Sequence, residues 1–205
     1  LLFQNTNTYI TNKQSIADLN EVIRQVGNAI DFAVLTRTLQ EERIAVALNF
    51  FVEQRENLTN LADLDQFTET DEAEFIKNFQ VDSSYNNTDN ALQNVNYWPK
   101  GQSGYMQSKL KFQIRHALFR SQRNSESASG PDVQRDKVLD WYNEVNSNTL
   151  KYVTYSIRDS DISNFYRFIV GYKNLLRCVE VAGKAGILGL EYTTKGLSPA
   201  KFQRF

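Results

Sequence analysis

The segment 39–43, LQEER, places charged groups inside a helical pattern that is otherwise apolar. Leu35, Leu39, Arg43, Val46 and Phe50 recur at steps of 4, 4, 3 and 4 residues. This spacing is that of one helix face, so Arg43 is predicted to point toward neighbouring helices. A buried guanidinium must be paired or must bind an anion, because an unpaired buried charge is very costly.

Two interpretations of Arg43 remain open on periodicity alone. In the first, Arg43 forms an internal ion pair, with Glu42 or with a carboxylate from a facing helix. In the second, it lines an anion pocket between helices, because the planar donor fork of arginine matches a planar oxyanion.

Arg115 is a second candidate binding residue. Phe112 lies three residues before it and Phe119 four after it, which puts Arg115 at the edge of an apolar helix face. The alternative is an ordinary flanking arginine whose stem packs while its head reaches water.

His116 is the only histidine and Cys178 the only cysteine, so an internal disulfide is impossible and no zinc cluster is expected. Haem ligation through His116 remains an alternative; the main prediction is that the chain has neither a metal site nor a cofactor. The sequence contains no G-x-S-x-G elbow, P-loop or G-x-G-x-x-G turn in the required context, so no catalytic residues and no enzyme activity are predicted.

The overall charge argues against nucleic acid as a partner. The formal net charge is -1, which supplies no large basic field for a phosphate backbone. No run of about 18 apolar residues occurs, so no membrane contact is predicted within these residues. The sequons at Asn57 and Asn86 predict glycosylation and favour an extracellular location.

The periodicity predicts an all-α chain, and its 205 residues fit one large domain or two small ones. Apolar stripes with helical spacing run from Ile16 to Ile30, from Met106 to Leu118 and from Ile162 to Leu190, with a kink or break at Gly27. Irregular segments are predicted at 54–65, 81–104 and 124–131, with a brief helix inside the second of these, at 90–97. Pro131 suits the start of a helix.

Three glycines, at 183, 186 and 189, fall in the last predicted helix, and the first two occupy positions of its stripe. Each costs about 1 kcal/mol of helix propensity relative to alanine, so something should compensate. Close helix packing is the preferred explanation, and room for a ligand is the alternative.

Several runs resemble the NIT family of nitrate- and nitrite-sensing domains. Residues 35–43 (LTRTLQEER) look like its LQ-x-ER helix, and residues 171–183 (GYKNLLRCVEVAG) look like its A-Y-x-x-L-x-x-x-K-E-x-x-G helix. Residues 68–73 (TETDEA), 110–115 (LKFQIR) and 141–145 (WYNEV) resemble further family segments in the same order, with Phe67 where an arginine is common.

The resemblance implies a single domain over residues 1–205, built from paired four-helix bundles of long antiparallel helices. It also implies a ligand-binding input domain on the extracellular side of a membrane receptor, such as an animal receptor guanylate cyclase, acting as a homodimer. The transmembrane segment and any catalytic domain are expected outside these residues. A nitrate- or nitrite-like anion or small molecule would bind near Arg43, assisted by Gln40, Arg115 and Lys184.

One departure affects this expected site. The family motif usually continues G-x-ER-A, whereas Ala185 and Gly186 stand here where its Glu and Arg would be. The family anion site is therefore incomplete, and Lys184 is the only nearby replacement charge. The alternative function is a ligand-free helical module for dimerisation or protein interaction.

Overall fold

The computed structural model describes residues 2–56, 81–122, 131–153 and 163–195. Its helices are α1 (Leu2–Glu56), α2 (Val81–Asn94), α3 (Lys109–Gln122), α4 (Pro131–Tyr152) and α5 (Ser163–Lys195), with a short 3-10 turn at Gly104–Gln107. No strand occurs among these residues, which confirms the predicted all-α class. Pro131 begins α4, as its restricted backbone predicts.

Helix α1 is the centre of the helical bundle, and α2, α4 and α5 all pack against it. Its 55 residues span about 80 Å at 1.5 Å per residue, far more than any of its neighbours. The helix continues through Gly27 without interruption, so the predicted break is wrong.

Contacts at the two ends of the bundle give the helix directions. Phe32 of α1 packs near Tyr152 of α4, while Phe51 lies under the guanidinium of Arg135, so α4 runs antiparallel to α1. Gln40 bonds to the carbonyl of Leu176, and farther along α1 Phe51 packs in one cluster with Ile187, so α5 runs parallel to α1.

The core is a continuous apolar cluster between α1 and its neighbours. Its fully buried members include Leu35, Leu39, Val46 and Phe112. A group of aromatic side chains in mutual contact extends this core toward the segment between α2 and α3. The group consists of Phe32, Trp98, Tyr105, Phe112, Phe119 and Trp141.

The polar segment from residue 81 is helical as far as Asn94, so the prediction of irregular structure is wrong for 81–89, and the brief helix predicted at 90–97 is confirmed over 90–94. Polar side chains satisfy backbone carbonyls within the helix: the Ser84 hydroxyl donates to Val81 and the Thr88 hydroxyl donates to Ser84. Such bonds let a polar helix bury one face without losing hydrogen bonds.

Residues 95–103 are non-helical; this confirms the prediction for 98–103, whereas the predicted brief helix 90–97 ends three residues early, at Asn94. Lys109 caps the end of α2 by donating to the carbonyls of Gln93 and Val95, and Trp98 donates to the carbonyl of Met106. The predicted break at 54–65 begins too early, because α1 continues to Glu56. Its residues 57–65, and 124–130 of the third predicted segment, lie outside the described residues.

The N-terminal stripe of α1 is exposed rather than buried, contrary to prediction. Ile16, Leu19 and Ile23 keep about 60% of their surface accessible (60%, 58% and 62%). Burial along α1 begins only near Asn28. The physical reason is length, since α1 is much longer than α2 and α4 and extends beyond them.

Candidate functional site

The segment LQEER lies at the middle of the bundle, and its polar side chains point in different directions. Gln40, Glu42 and Arg43 are fully buried, whereas Glu41 is exposed and pairs with Arg37 one turn earlier. Consecutive residues on a helix point about 100° apart, so Glu42 and Arg43 face different neighbouring helices. Two buried charge clusters result, one on each side of α1.

The first cluster surrounds the Glu42 carboxylate. Arg120 of α3 binds it through two donors, Nε to Oε1 at 2.9 Å and Nη2 to Oε2 at 2.8 Å. The Tyr142 hydroxyl of α4 donates to Oε1 at 2.5 Å, and His116 Nε2 lies 3.0 Å from the same oxygen. Arg120 also reaches Asp89 of α2 at 2.8 Å, so this cluster connects four helices.

Electrostatics keep Glu42 ionised in this buried position. Burial by itself would raise the pKa of its carboxyl, but His116 and Arg120 outweigh that effect and hold the pKa at about 2. Burial and the neighbouring Glu42 charge raise the pKa of Tyr142 well above its usual value. Tyr142 therefore remains a protonated donor to a charged acceptor.

His116 is an internal part of this cluster. The Trp141 indole N–H donates to Nδ1 at 3.3 Å, and Nε2 faces the Glu42 carboxylate. Phe112 stacks on the imidazole, with ring centroids 5.7 Å apart. Both ring nitrogens face protein groups, and this arrangement offers neither of them to a haem iron.

The second cluster surrounds Arg43, between α1, α4 and α5. Its Nη1 lies 2.5 Å from Oε1 of Glu180 and 2.8 Å from Oδ1 of Asn143. Gln40 donates to the other oxygen of Glu180 at 3.2 Å, and Lys184 Nζ lies 3.2 Å from Oε1 of Glu180. Arg43 thus forms an internal ion pair with a facing helix, the first of the two interpretations raised by its spacing.

The structure brings together three of the four predicted binding residues and leaves one apart. Gln40, Arg43 and Lys184 all contact Glu180. Arg115 is exposed on α3, where its guanidinium lies 4.8 Å from the centre of the Phe119 ring at the edge of an open surface cleft.

Gly183 is the point at which α5 makes room for Arg43. A Cβ at this position would lie 2.7 Å from Nη2 of Arg43, whereas a Cβ at Gly186 or Gly189 would have no neighbour within 4 Å. Close packing therefore explains Gly183 and does not explain the other two glycines. Ala185 and Gly186, at the family's Glu and Arg positions, are exposed.

This difference among the glycines gives a matched prediction. Gly183→Ala is expected to destabilise the protein by about 1–3 kcal/mol, because the new methyl group displaces a guanidinium that Glu180 and Asn143 hold in place. Gly186→Ala is expected to stabilise it by about 0.5–1 kcal/mol through helix propensity alone. Urea unfolding of the two variants measures both, and equal effects would contradict the packing role of Gly183.

The two predicted glycosylation positions differ in what the structure describes. Asn86 is exposed on α2, where a glycan would meet solvent, and Asn57 lies outside the described residues. None of the described helices is long and apolar enough to cross a membrane. The described residues also contain no group of three His, Cys, Asp or Glu side chains suited to a metal ion.

Sequence reasoning did not identify Glu180, Asn143, Arg120 or Tyr142 as partners in these clusters. A signal for Glu180 was present: it lies four residues after Leu176 and three before Gly183, while Val179, which was assigned to the stripe, lies three after and four before. Helical spacing tolerates either position, and the structure buries Glu180 and exposes Val179.

Comparison with known proteins gives no relative for this chain. No family model matches it, and no curated protein and no solved structure matches it either. The functional argument therefore depends on the site itself.

Proposed function

We propose that this chain is the ligand-binding input domain of a membrane receptor, of the NIT type that its motifs resemble. The observation that carries the proposal is the Arg43 cluster. A fully buried guanidinium lies between three helices, and Arg43 and Lys184 together share the single carboxylate of Glu180. The cluster therefore carries a net charge of one positive unit, since two cationic side chains face one carboxylate, and this excess suits a nitrate- or nitrite-like anion.

The position of the cluster suits signalling as well as binding. A ligand at Arg43 would contact α1, α4 and α5, and any difference in its affinity for two helix arrangements would shift their populations. Movement of the long helix α1 would then carry the signal to an output domain such as a guanylate cyclase. Under this proposal the chain is extracellular, forms paired four-helix bundles, functions as a homodimer and carries glycans at Asn57 and Asn86.

The direct test is a thermal-shift measurement with nitrate, nitrite, other anions and amines. A ligand at about 100 times its Kd stabilises the folded state by about 2.7 kcal/mol, so binding raises the melting temperature. Arg43→Ala is expected to abolish this rise. Arg37→Ala, which removes an exposed arginine from the same helix, should leave it intact. A rise that survives Arg43→Ala would exclude the proposed site.

A ligand-free dimerisation module is the second candidate, and two observations favour it. Arg43 already has an internal partner in Glu180. The stripe of α1 formed by Ile16, Leu19, Ile23, Val26 and Ile30 has the alternating 3- and 4-residue spacing of a coiled-coil seam, and all of its members except the half-buried Val26 are exposed. An isolated helix of this kind is marginal in water, and a second copy would bury the stripe.

Substitution in this stripe tests the dimer. Ile23→Asp is expected to weaken self-association at least tenfold, because it places a charge in the apolar seam at a cost of more than about 1.4 kcal/mol. Asn20→Asp, at an exposed position beside the seam, is the matched control and should associate as the native chain does. Analytical ultracentrifugation measures both. A native chain that is monomeric at all concentrations would contradict a dimer through this stripe.

A further inference from the structure

The Glu180 carboxylate is itself a small planar oxyanion, and it occupies the donors that a free anion would use. It accepts from Arg43 Nη1 at 2.5 Å and from Gln40 Nε2 at 3.2 Å, and Lys184 Nζ lies 3.2 Å away. We infer that Glu180 is an exchangeable internal ligand. A free monovalent oxyanion binds Arg43 only when the Glu180 carboxylate turns away toward Lys184. This inference rests on the proposed function.

Lys184 provides the displaced carboxylate with a second partner. It lies one helical turn after Glu180 on the same face of α5, the spacing at which opposite charges pair. The Lys184 side chain is 41% exposed while that of Glu180 is 7% exposed, so the pair can re-form closer to the surface. When the Glu180 carboxylate leaves Arg43, its negative charge would therefore still be paired with the Lys184 ammonium group.

Two features favour exchange of Glu180 for a free anion over a permanent Arg43–Glu180 ion pair: the net positive charge of the cluster, and a donor of Arg43 without a partner among the described residues. Arg43 and Lys184 contribute two positive charges and Glu180 one negative charge, so an incoming anion would bring the cluster to neutrality. The buried Nε of Arg43 has no hydrogen-bond partner within the described structure. The neighbouring Nη2 donates to the backbone carbonyl of Glu180 at 3.5 Å, so an oxyanion that accepts from Nε and Nη2 together, the two-point geometry that arginine favours, replaces that long hydrogen bond.

The internal carboxylate would set the sensitivity of the site. The apparent affinity of a ligand falls in proportion to the fraction of molecules in the competent state. A site that is open in about 1–10% of molecules therefore binds a free anion roughly 10- to 100-fold more weakly than an open site would.

The test compares the native chain with Glu180→Ala in titrations with nitrate, nitrite and formate, with chloride added to keep the ionic strength constant. Glu180→Ala removes the internal ligand and leaves space beside Arg43. It should be less stable than the native chain, and nitrate should restore its melting temperature with a Kd about 10- to 100-fold lower than that of the native chain. The double variant Arg43→Ala, Glu180→Ala should show no restoration.

Three further variants keep the result interpretable. Glu180→Gln fills the same space with a neutral amide and should gain much less nitrate affinity than Glu180→Ala. Glu180→Asp keeps the charge on a shorter side chain, and should show increased affinity even if Glu180→Ala does not fold. Glu191→Ala removes another buried carboxylate of α5, the partner of Arg135, and should gain no nitrate response.

The outcomes separate this inference from the function on which it rests. Equal nitrate affinity in the native chain and in Glu180→Ala would overturn the internal ligand and leave anion binding at Arg43 standing. An equal gain in Glu191→Ala would also overturn it, since the effect would not be specific to Arg43. Absence of binding to the native chain and to every Glu180 variant would overturn both proposals.

Discussion

Replacing Glu42 with alanine is expected to lower the free energy of unfolding by about 3–5 kcal/mol, because it removes one partner from a buried, hydrogen-bonded ion pair. The carboxylate accepts from Arg120 and Tyr142, and His116 lies against it. Without it, the Tyr142 hydroxyl and the His116 ring remain in the core with no acceptor. Arg120 keeps Asp89 as a second partner, which limits the loss.

The neighbouring Glu41 provides a control of identical chemistry. It is exposed and pairs with Arg37 on the helix surface, so Glu41→Ala should change stability by less than about 1 kcal/mol. Urea unfolding at neutral pH measures the free energy of unfolding of both variants. Because both lose a glutamate carboxylate, the difference between their losses of stability is due to the burial of Glu42. Similar losses at the two positions would show that the Glu42 cluster does not stabilise the fold.

The contrast between Glu41 and Glu42 also shows how far the sequence could predict the site. Periodicity correctly placed Arg43 on the face toward other helices, because its spacing from Leu35, Leu39 and Val46 is local information. The partner of Arg43 could not be predicted in the same way. Glu180 is 137 residues away along the chain, and only the packing of α5 against α1 brings the two together.

The errors in the predicted fold have a similar cause. The first part of helix α2, 81–89, was missed because its buried face contains Ser84 and Thr88, whose hydroxyls bond to the backbone of their own helix. The α1 stripe at Ile16, Leu19 and Ile23 has the spacing of a buried face and is exposed. A stripe shows that a helix has an apolar side, but the lengths and positions of its neighbours decide whether that side is covered.

Acidification is expected to remove the stabilisation that Glu42 provides, between about pH 4.5 and pH 2. The pKa of its carboxyl is about 2 in the folded protein, against an ordinary value of 4.5. A folded pKa that is lower than the unfolded pKa gives stability that is present above pH 4.5 and is lost as the pH falls toward 2. The difference between the two pKa values corresponds to about 3 kcal/mol.

The variant Glu42→Gln isolates this contribution from those of the other carboxylates. It keeps the shape of the side chain but does not titrate, so it should be less stable than the native chain at pH 7. The two stability curves should then converge as the pH falls from 4.5 to 2, because the native Glu42 becomes neutral over that range. Urea unfolding at closely spaced pH values measures the convergence. Parallel curves would mean that Glu42 titrates alike in the folded and unfolded chains, and that the Arg120 and His116 contacts do not hold its charge in place.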